Sequence, residues 1–270
     1  MSLARRFDQR GKTIILSETT DEPITLVGQM SGICWGADTT NNGKNFKRGL
    51  ECLRNNHGRT LEFPQIYIVL DGWSARVIRE FYTHIAGGPT RLQASTRYID
   101  YKNFKYLSPK SIENNLDAKD AYDGTMEEIA MSLDYLTNNC GISKEDAANL
   151  LPLGMETKIV VRTNLRHLID MSRVRLCNRA YWEFRELFKS IMEALSVYSD
   201  EWKYLIEEEK IFAPKCEVMG YCNEKYSCGR AISKEEFDNW MDFIKVCKKA
   251  NMTPEDLIPN WGDNLEAKEK

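Results

Sequence analysis

"ETKIVVRTNLRHLIDMSRVRLCNRAYWEFRELFKSIMEAL", residues 156–195, decides how this chain is read. Its first eight residues are a β-rich run of Ile, Val and Thr. From Asn164 the apolar residues recur at helical spacing, which predicts one long helix to Leu195. At about 100° per residue, Asn164, Met171, Arg175, Asn178 and Trp182 fall in one stripe. Arg166, Asp170 and Arg173 lie nearly opposite. Leu165, Leu168, Ile169 and Leu176 supply an apolar side between them. Two polar faces on one helix suit two polar sites or a subunit interface. The plain alternative is a surface helix carrying an Arg166–Asp170 ion pair.

Upstream, "KTIILSE" and "EPITLVGQM" read as short strands with a turn at Asp21–Pro23. A polar loop over 36–45 precedes a helix in "NFKRGLECLRNN". "QIYIVLDG" is a strand closed at Asp71–Gly72, and "WSARVIREFYTHI" an amphipathic helix that breaks at Gly87–Gly88–Pro89. "KSIENNLDAKDAYDGTMEEIAMSLDYLTNN" reads as helical with an interruption near Gly124. "SKEDAANLL" is a further helix with Ser143 as N-cap. From about 210 the texture changes, which divides the chain into 1–210 and a Cys-containing extension, 211–270, with one helix in "SKEEFDNWMDFIKVCKKA". The tail beyond 260 is charged and expected to fray.

The sequence has 270 residues, 42% hydrophobic and 29% charged, an ordinary globular composition. A net charge of −3 argues against a nucleic-acid-coating role. No signal peptide and no membrane-length apolar run is read, so a cytoplasmic protein without membrane partners is expected. Eight cysteines without an export signal fit reduced thiols. Cys216, Cys222 and Cys228 lack zinc-module spacing and are read as structural thiols. The three histidines, 57, 84 and 167, are not paired at zinc spacing, so no metal site is expected. Neither a Walker loop nor a dinucleotide fingerprint is present.

"GGPTRLQASTRY" (87–98) packs Arg91, Gln93, Ser95, Thr96 and Arg97 behind a flexible hinge. Guanidinium forks and hydroxyls match phosphate oxygens, and Gln93 offers a donor and an acceptor to a base edge. A polar surface loop of the same composition is the alternative reading.

Together these segments resemble the flavin-dependent thymidylate synthases. "THIAGGPTRLQASTRY" is similar to that family's Arg-His-Arg … Ser-x-Arg-Tyr motif, with about two extra residues in the middle. "TNLRHLIDMSRVRLCNRAYWEFR" is similar, without gaps, to its Asn-x-Arg … Leu-Arg … His-x-Gln-Trp-Glu helix, aligning Asn164, Arg166, Arg175, Trp182 and Glu183. "LLPLGMETK" and "NHGRTLEF" resemble two further family elements. The likeness runs from about 45 to 200.

The resemblance implies an α+β fold with a twisted, mainly antiparallel sheet and long helices, in a homotetramer whose sites are shared between subunits. It implies conversion of dUMP to dTMP, with methylenetetrahydrofolate as carbon donor, FAD as cofactor and NADPH as reductant. Glu80, Arg91, Gln93, Ala94, Ser95, Thr96, Arg97 and Arg175 would hold dUMP, with Ser95 and Arg175 the catalytic candidates. Ser95 is more a binder than an obligatory nucleophile. Thr83, His84, Ile85, Gln93, Asn164, Arg166, Asp170 and Arg179 would touch FAD. Five departures stand out: Thr83 and Ile85 replace arginines beside the motif histidine, Ala148 replaces an arginine before Leu-Pro-Leu, Arg179 a histidine and Asp170 an asparagine. The alternative they leave open is a non-catalytic nucleotide-binding relative.

Overall fold

The computed structural model describes residues 5, 6, 11–250 and 253; the charged tail beyond 260 lies outside them. Two compact units divide the chain, 1–212 and 213–270.

Two antiparallel strands form the middle of the larger unit. They are β3 (Gln65–Ser74) and β6 (Glu156–Asn164), paired from Gln65↔Asn164 to Ser74↔Glu156 with a bulge between Asp71 and Trp73. The bulge lets the strand run past Gly72, which takes φ +76°, where the sequence reading closed it. β2 (Lys12–Ile15) lies outside β3 and β4 (Thr90–Gln93) outside β6, giving the order β2-β3-β6-β4. The stretch 87–98 is thus not all loop: Thr90–Gln93 pairs with Ile159–Arg162. A two-residue pairing joins β1 (Arg5–Arg6) to β5 (Lys105–Tyr106) in parallel.

Alternation sets the core. Ile66, Ile68 and Leu70 of β3 and Ile159 and Val161 of β6 are buried on one sheet face. They join Leu165 and Leu168 of α7 (Leu165–Arg175) and Phe184, Leu187, Phe188 and Ile191 of α8 (Trp182–Tyr198) in one cluster. A second cluster forms beneath α5 (Leu116–Asp134), from Phe104, Tyr106, Met126, Ala130, Leu133 and Met155.

Three expectations are corrected. "EPITLVGQM" is not a strand but the start of α1 (Pro23–Cys34). Pro23 opens the helix, and the Glu201 carboxylate accepts from the Ile24 and Thr25 amides and the Thr25 hydroxyl. Gly28 lets α1 close on α2 (Asn42–Arg54), for a Cβ there would meet the Asn45 carbonyl. The helix expected over 164–195 is two helices, α7 and α8, separated at 176–181. The proposed stripe therefore dissolves: Asn164 is the α7 N-cap, Met171 is buried, Asn178 sits in the connection and Trp182 begins α8. Finally, α5 runs through Gly124 without interruption; its place there is open to solvent, and Met126, Ala130 and Leu133 anchor the helix beyond it.

The remaining elements are short. α3 (Ala75–Phe81) follows β3, α4 (Lys110–Glu113) precedes α5, and α6 (Lys144–Ala147) starts at Ser143, whose hydroxyl accepts from the Asp146 amide. α9 (Asp200–Glu207) packs Trp202 and Leu205 into the main core. In the smaller unit, α10 (Lys215–Met219) precedes α11 (Lys234–Lys249), where Ser233 and Glu236 form a capping box. Cys216, Cys222 and Cys228 are not joined in disulfides. Among the described residues, no group of three or more His, Cys, Asp or Glu is placed to hold a metal ion, and no helix is long and apolar enough to cross a membrane.

Candidate active site

The site is built around the end of α3. Ser74 caps that helix by accepting from the Val77 amide at 3.2 Å. Ser74 is in turn held by Glu183 at the start of α8: its amide donates to Oε1 at 2.8 Å and its hydroxyl to Oε2 at 2.5 Å. Glu183 is buried; burial pushes its carboxyl up, and hydrogen bonds from Ser74 and Tyr181 pull it part of the way back. Burial and the Glu183 charge push the Tyr181 phenol up as well. One carboxylate thus ties the start of α3 to the start of α8.

α3 then delivers Glu80, Thr83 and His84 opposite Arg175, the last residue of α7. Arg175 Nη1 donates to Glu80 Oε2 at 2.7 Å, Nη2 to Thr83 Oγ1 at 3.2 Å and Nε to His84 Nε2 at 2.7 Å. Its guanidinium carbon lies 4.5 Å above the centre of the Phe184 ring. His84 is held down to about 4, first by burial and then by the positive charge of Arg175 and the neighbouring His167 and Arg91. A neutral imidazole with a free Nε2 is what the Arg175 bond requires. His167 is pushed down too, chiefly by burial.

Arg91 of β4 reaches back to the same helix end. Its Nη1 donates to the carbonyls of Phe81 at 3.1 Å and His84 at 3.3 Å, and its guanidinium stacks 4.7 Å from the Tyr82 ring centre. A cation at a helix C-terminus satisfies orphan carbonyls and the helix dipole together.

Other expected residues take separate partners. Gln93 donates to Thr157 Oγ1 at 3.3 Å, and the Ala94 amide to the Lys158 carbonyl at 2.8 Å. Ser95 Oγ accepts from the Arg97 amide at 3.2 Å, while the Arg97 side chain pairs with Glu145 at 3.1 Å on the surface. Thr96 lines a small cavity with Lys102, Thr137, Lys144 and Ala148. Asn164 caps α7 by accepting from the His167 amide at 2.9 Å, and donates to the Gly87 carbonyl at 3.4 Å. Arg166 pairs with Glu62 at 2.6 Å rather than with Asp170, because η1 (Thr60–Glu62) packs against α7. Ile85, Asp170 and Arg179 are exposed.

So Glu80, Thr83, His84, Arg91 and Arg175 come together in one cluster from three elements. Sequence reasoning missed Phe184 and Tyr82, the rings beneath its two guanidiniums, because an aromatic residue at helical spacing reads simply as core.

The family model described as "Thymidylate synthase complementing protein" matches residues 15–197. The chain belongs to the flavin-dependent thymidylate synthase family. It is 32% identical over 173 residues to the flavin-dependent thymidylate synthase of Pyrococcus furiosus, covering 63% of this chain and 69% of that one. The Clostridium tetani enzyme is 26% identical over 255 residues, 84% of this chain and 98% of that one. Among solved structures, ThyX of Helicobacter pylori, complexed with FAD and dUMP, superposes with a TM-score of 0.58 at 20% identity, over 73% of this chain and 98% of that one. A UMP/dUMP methylase, PolB of Streptomyces cacaoi bound with 5-Br dUMP, superposes with a TM-score of 0.61 at 14% identity, over 75% of this chain and 96% of that one. These two likenesses concern the fold. The α+β class with an antiparallel sheet agrees with them and with the sheet described above.

Proposed function

We propose that this chain is an FAD-dependent thymidylate synthase that converts dUMP to dTMP, with methylenetetrahydrofolate as carbon donor and NADPH as reductant. The observation that carries the reading is the Arg175 cluster. Arg175 has five N–H groups and spends three on Glu80, Thr83 and His84. The remaining two, one on each terminal nitrogen, are left for the uracil edge. There the guanidinium would stabilise negative charge that builds on the uracil oxygens as C5 is made nucleophilic, charge that bond formation with the carbon donor then relieves, a preorganised electrostatic role.

Ser95, Thr96 and Arg97, with Glu80, Arg91, Gln93 and Ala94, complete the proposed dUMP set. Ser95 would bind rather than attack. Arg97 would exchange Glu145 for the phosphate, an easy exchange because the ion pair is exposed.

FAD needs cations for its diphosphate and an apolar wall for its ring. Arg166 is exposed beside Gly58, Arg162 donates to the Gly88 carbonyl, and Ile85 is 73% exposed. This donor set fits the cofactor, and Thr83, His84, Ile85, Gln93, Asn164, Arg166, Asp170 and Arg179 would hold it. When bound, FAD supplies the hydride once NADPH has reduced it. The protein residues then orient dUMP and exclude water.

The catalytic portion would end near residue 210, leaving 211–270 as an extension. A homotetramer belongs to the same proposal. Ile85, Leu92 and Tyr98, all at least 70% exposed around the polar stretch, offer apolar surface to another copy. The test is dTMP formation by purified protein given FAD, NADPH, methylenetetrahydrofolate and dUMP, with mass measured by light scattering. Binding of flavin and dUMP without dTMP would favour the non-catalytic relative instead. A monomeric mass would remove the shared site.

A further inference from the structure

The three acceptors of Arg175 all lie on α3 or the turn that follows it. They accept from its three nitrogens in turn, and N–H bonds of a guanidinium lie in its own plane. Nothing in that set supports its face. The support comes from another helix: Phe184 of α8, whose ring centre is 4.5 Å from the guanidinium carbon.

Phe184 is itself fixed. It is fully buried, lies parallel to Phe81 at 6.0 Å and 9°, and meets the edge of His84 at 5.8 Å and 61°. The same ring therefore carries both Arg175 and the imidazole that accepts from it. The Arg175 side chain is only 15% exposed, and shielding from water strengthens the pull of the ring face on a cation.

We propose that Phe184 is a positioning residue: its ring face sets the plane of the Arg175 guanidinium, so that the two unspent N–H groups point together at a planar nucleobase edge. The inference rests on the reading of Arg175 given above. An aliphatic side chain of similar volume would fill the space but present no negative face.

The test is to replace Phe184 with a graded series of fluorinated phenylalanines. Ring fluorines drain the negative face while nearly keeping the shape, so packing and melting temperature stay close to those of the parent. Two quantities are read. One is dUMP affinity by calorimetry on the FAD-loaded protein. The other is the Arg175 Nε–H signal in nitrogen-15 NMR, assigned by its loss in Arg175→Lys and read without any nucleotide.

Affinity is expected to fall stepwise with each fluorine, about tenfold in all, while the Arg175 signal moves in step. Phe184→Leu is expected to lose at least as much. Unchanged affinity and an unmoved Arg175 signal across the folded series would overturn the inference. If the unsubstituted protein binds no dUMP, the proposed function fails, and the Arg175 signal decides the role of Phe184 alone.

Discussion

Arg175 Nε donates to His84 Nε2 across 2.7 Å, and this bond exists only while that imidazole nitrogen is unprotonated. His84 is held at about 4, against 6.5 for an ordinary histidine, first by burial and then by Arg175, His167 and Arg91. Between those two values the unfolded chain binds the proton and the folded chain does not. Stability therefore rises with pH across this window: it is complete above about 6.5 and falls as pH drops towards 4. Because His84 is only half-buried, the loss from this group is on the order of 1–2 kcal/mol. Urea midpoints at pH 7 and pH 4.5 measure it. His84→Gln should flatten part of the pH dependence, and an unchanged slope would assign it elsewhere.

Arg175 is the residue on which the proposed chemistry depends. Arg175→Ala should lower turnover about 10²–10³-fold, the usual cost of one such donor. Lysine should rescue poorly, because it cannot fork between Glu80, Thr83 and a ligand. If Arg175 were only a structural ion pair, its loss would leave turnover of the folded protein alone. Steady-state dTMP formation with flavin content checked separates the two. Wild-type turnover at saturating dUMP would show that Arg175 does not meet the ring.

The two hinge glycines should not respond alike. Both have positive φ, +76° at Gly87 and +61° at Gly88. A Cβ at Gly88 would meet nothing within 4 Å, so Gly88→Ala should cost about 1 kcal/mol from backbone alone. A Cβ at Gly87 would lie 3.2 Å from Asn164 Nδ2 and 3.3 Å from His167 Cβ. Gly87→Ala should therefore destabilise more, by about 2 kcal/mol, and disturb the α7 cap. Equal melting shifts for the two variants would mean that Asn164 gives way freely.

What could be read in advance was local. The alternation in "QIYIVLDG" and "ETKIVVRT" marks strands because one face of each is buried. The Ser143 cap is visible because its partner lies three residues on. What could not be read depends on distant partners. The amides at the start of α1 are satisfied by Glu201, some 176 residues away, so "PITLVGQM" looks like a β-branched strand. The break between α7 and α8 contains neither Gly nor Pro. Arg185 secures it by donating to the Asn178 and Ala180 carbonyls, and Arg76 of α3 stacks 4.6 Å from Tyr181. The likeness in "TNLRHLIDMSRVRLCNRAYWEFR" pointed to Arg175, but its acceptors come from α3 and the turn that follows it, and only the folded chain puts a Phe184 ring beneath it.

Glu183 gives the last prediction, and it separates architecture from chemistry. The carboxylate touches Ser74 and Tyr181 and lies outside the Arg175 cluster. Glu183→Ala would strand the Ser74 amide in a buried place and untie α3 from α8. That should cost about 2–4 kcal/mol, the range for breaking a buried polar network. Glu183→Gln keeps an acceptor for the Ser74 amide and gives up the charge. The charge costs burial energy in the folded state, as the raised carboxyl shows. A group held above its unfolded value destabilises as pH rises through that interval, because the folded chain keeps a proton that the unfolded chain has released. The Gln variant escapes this penalty, so it should compare worst with the parent at low pH and best above the carboxyl range. Turnover per folded molecule should change little in Gln. Melting temperature against pH for parent, Gln and Ala checks the argument, and a Gln deficit that grows with pH would show that the Glu183 charge stabilises the fold.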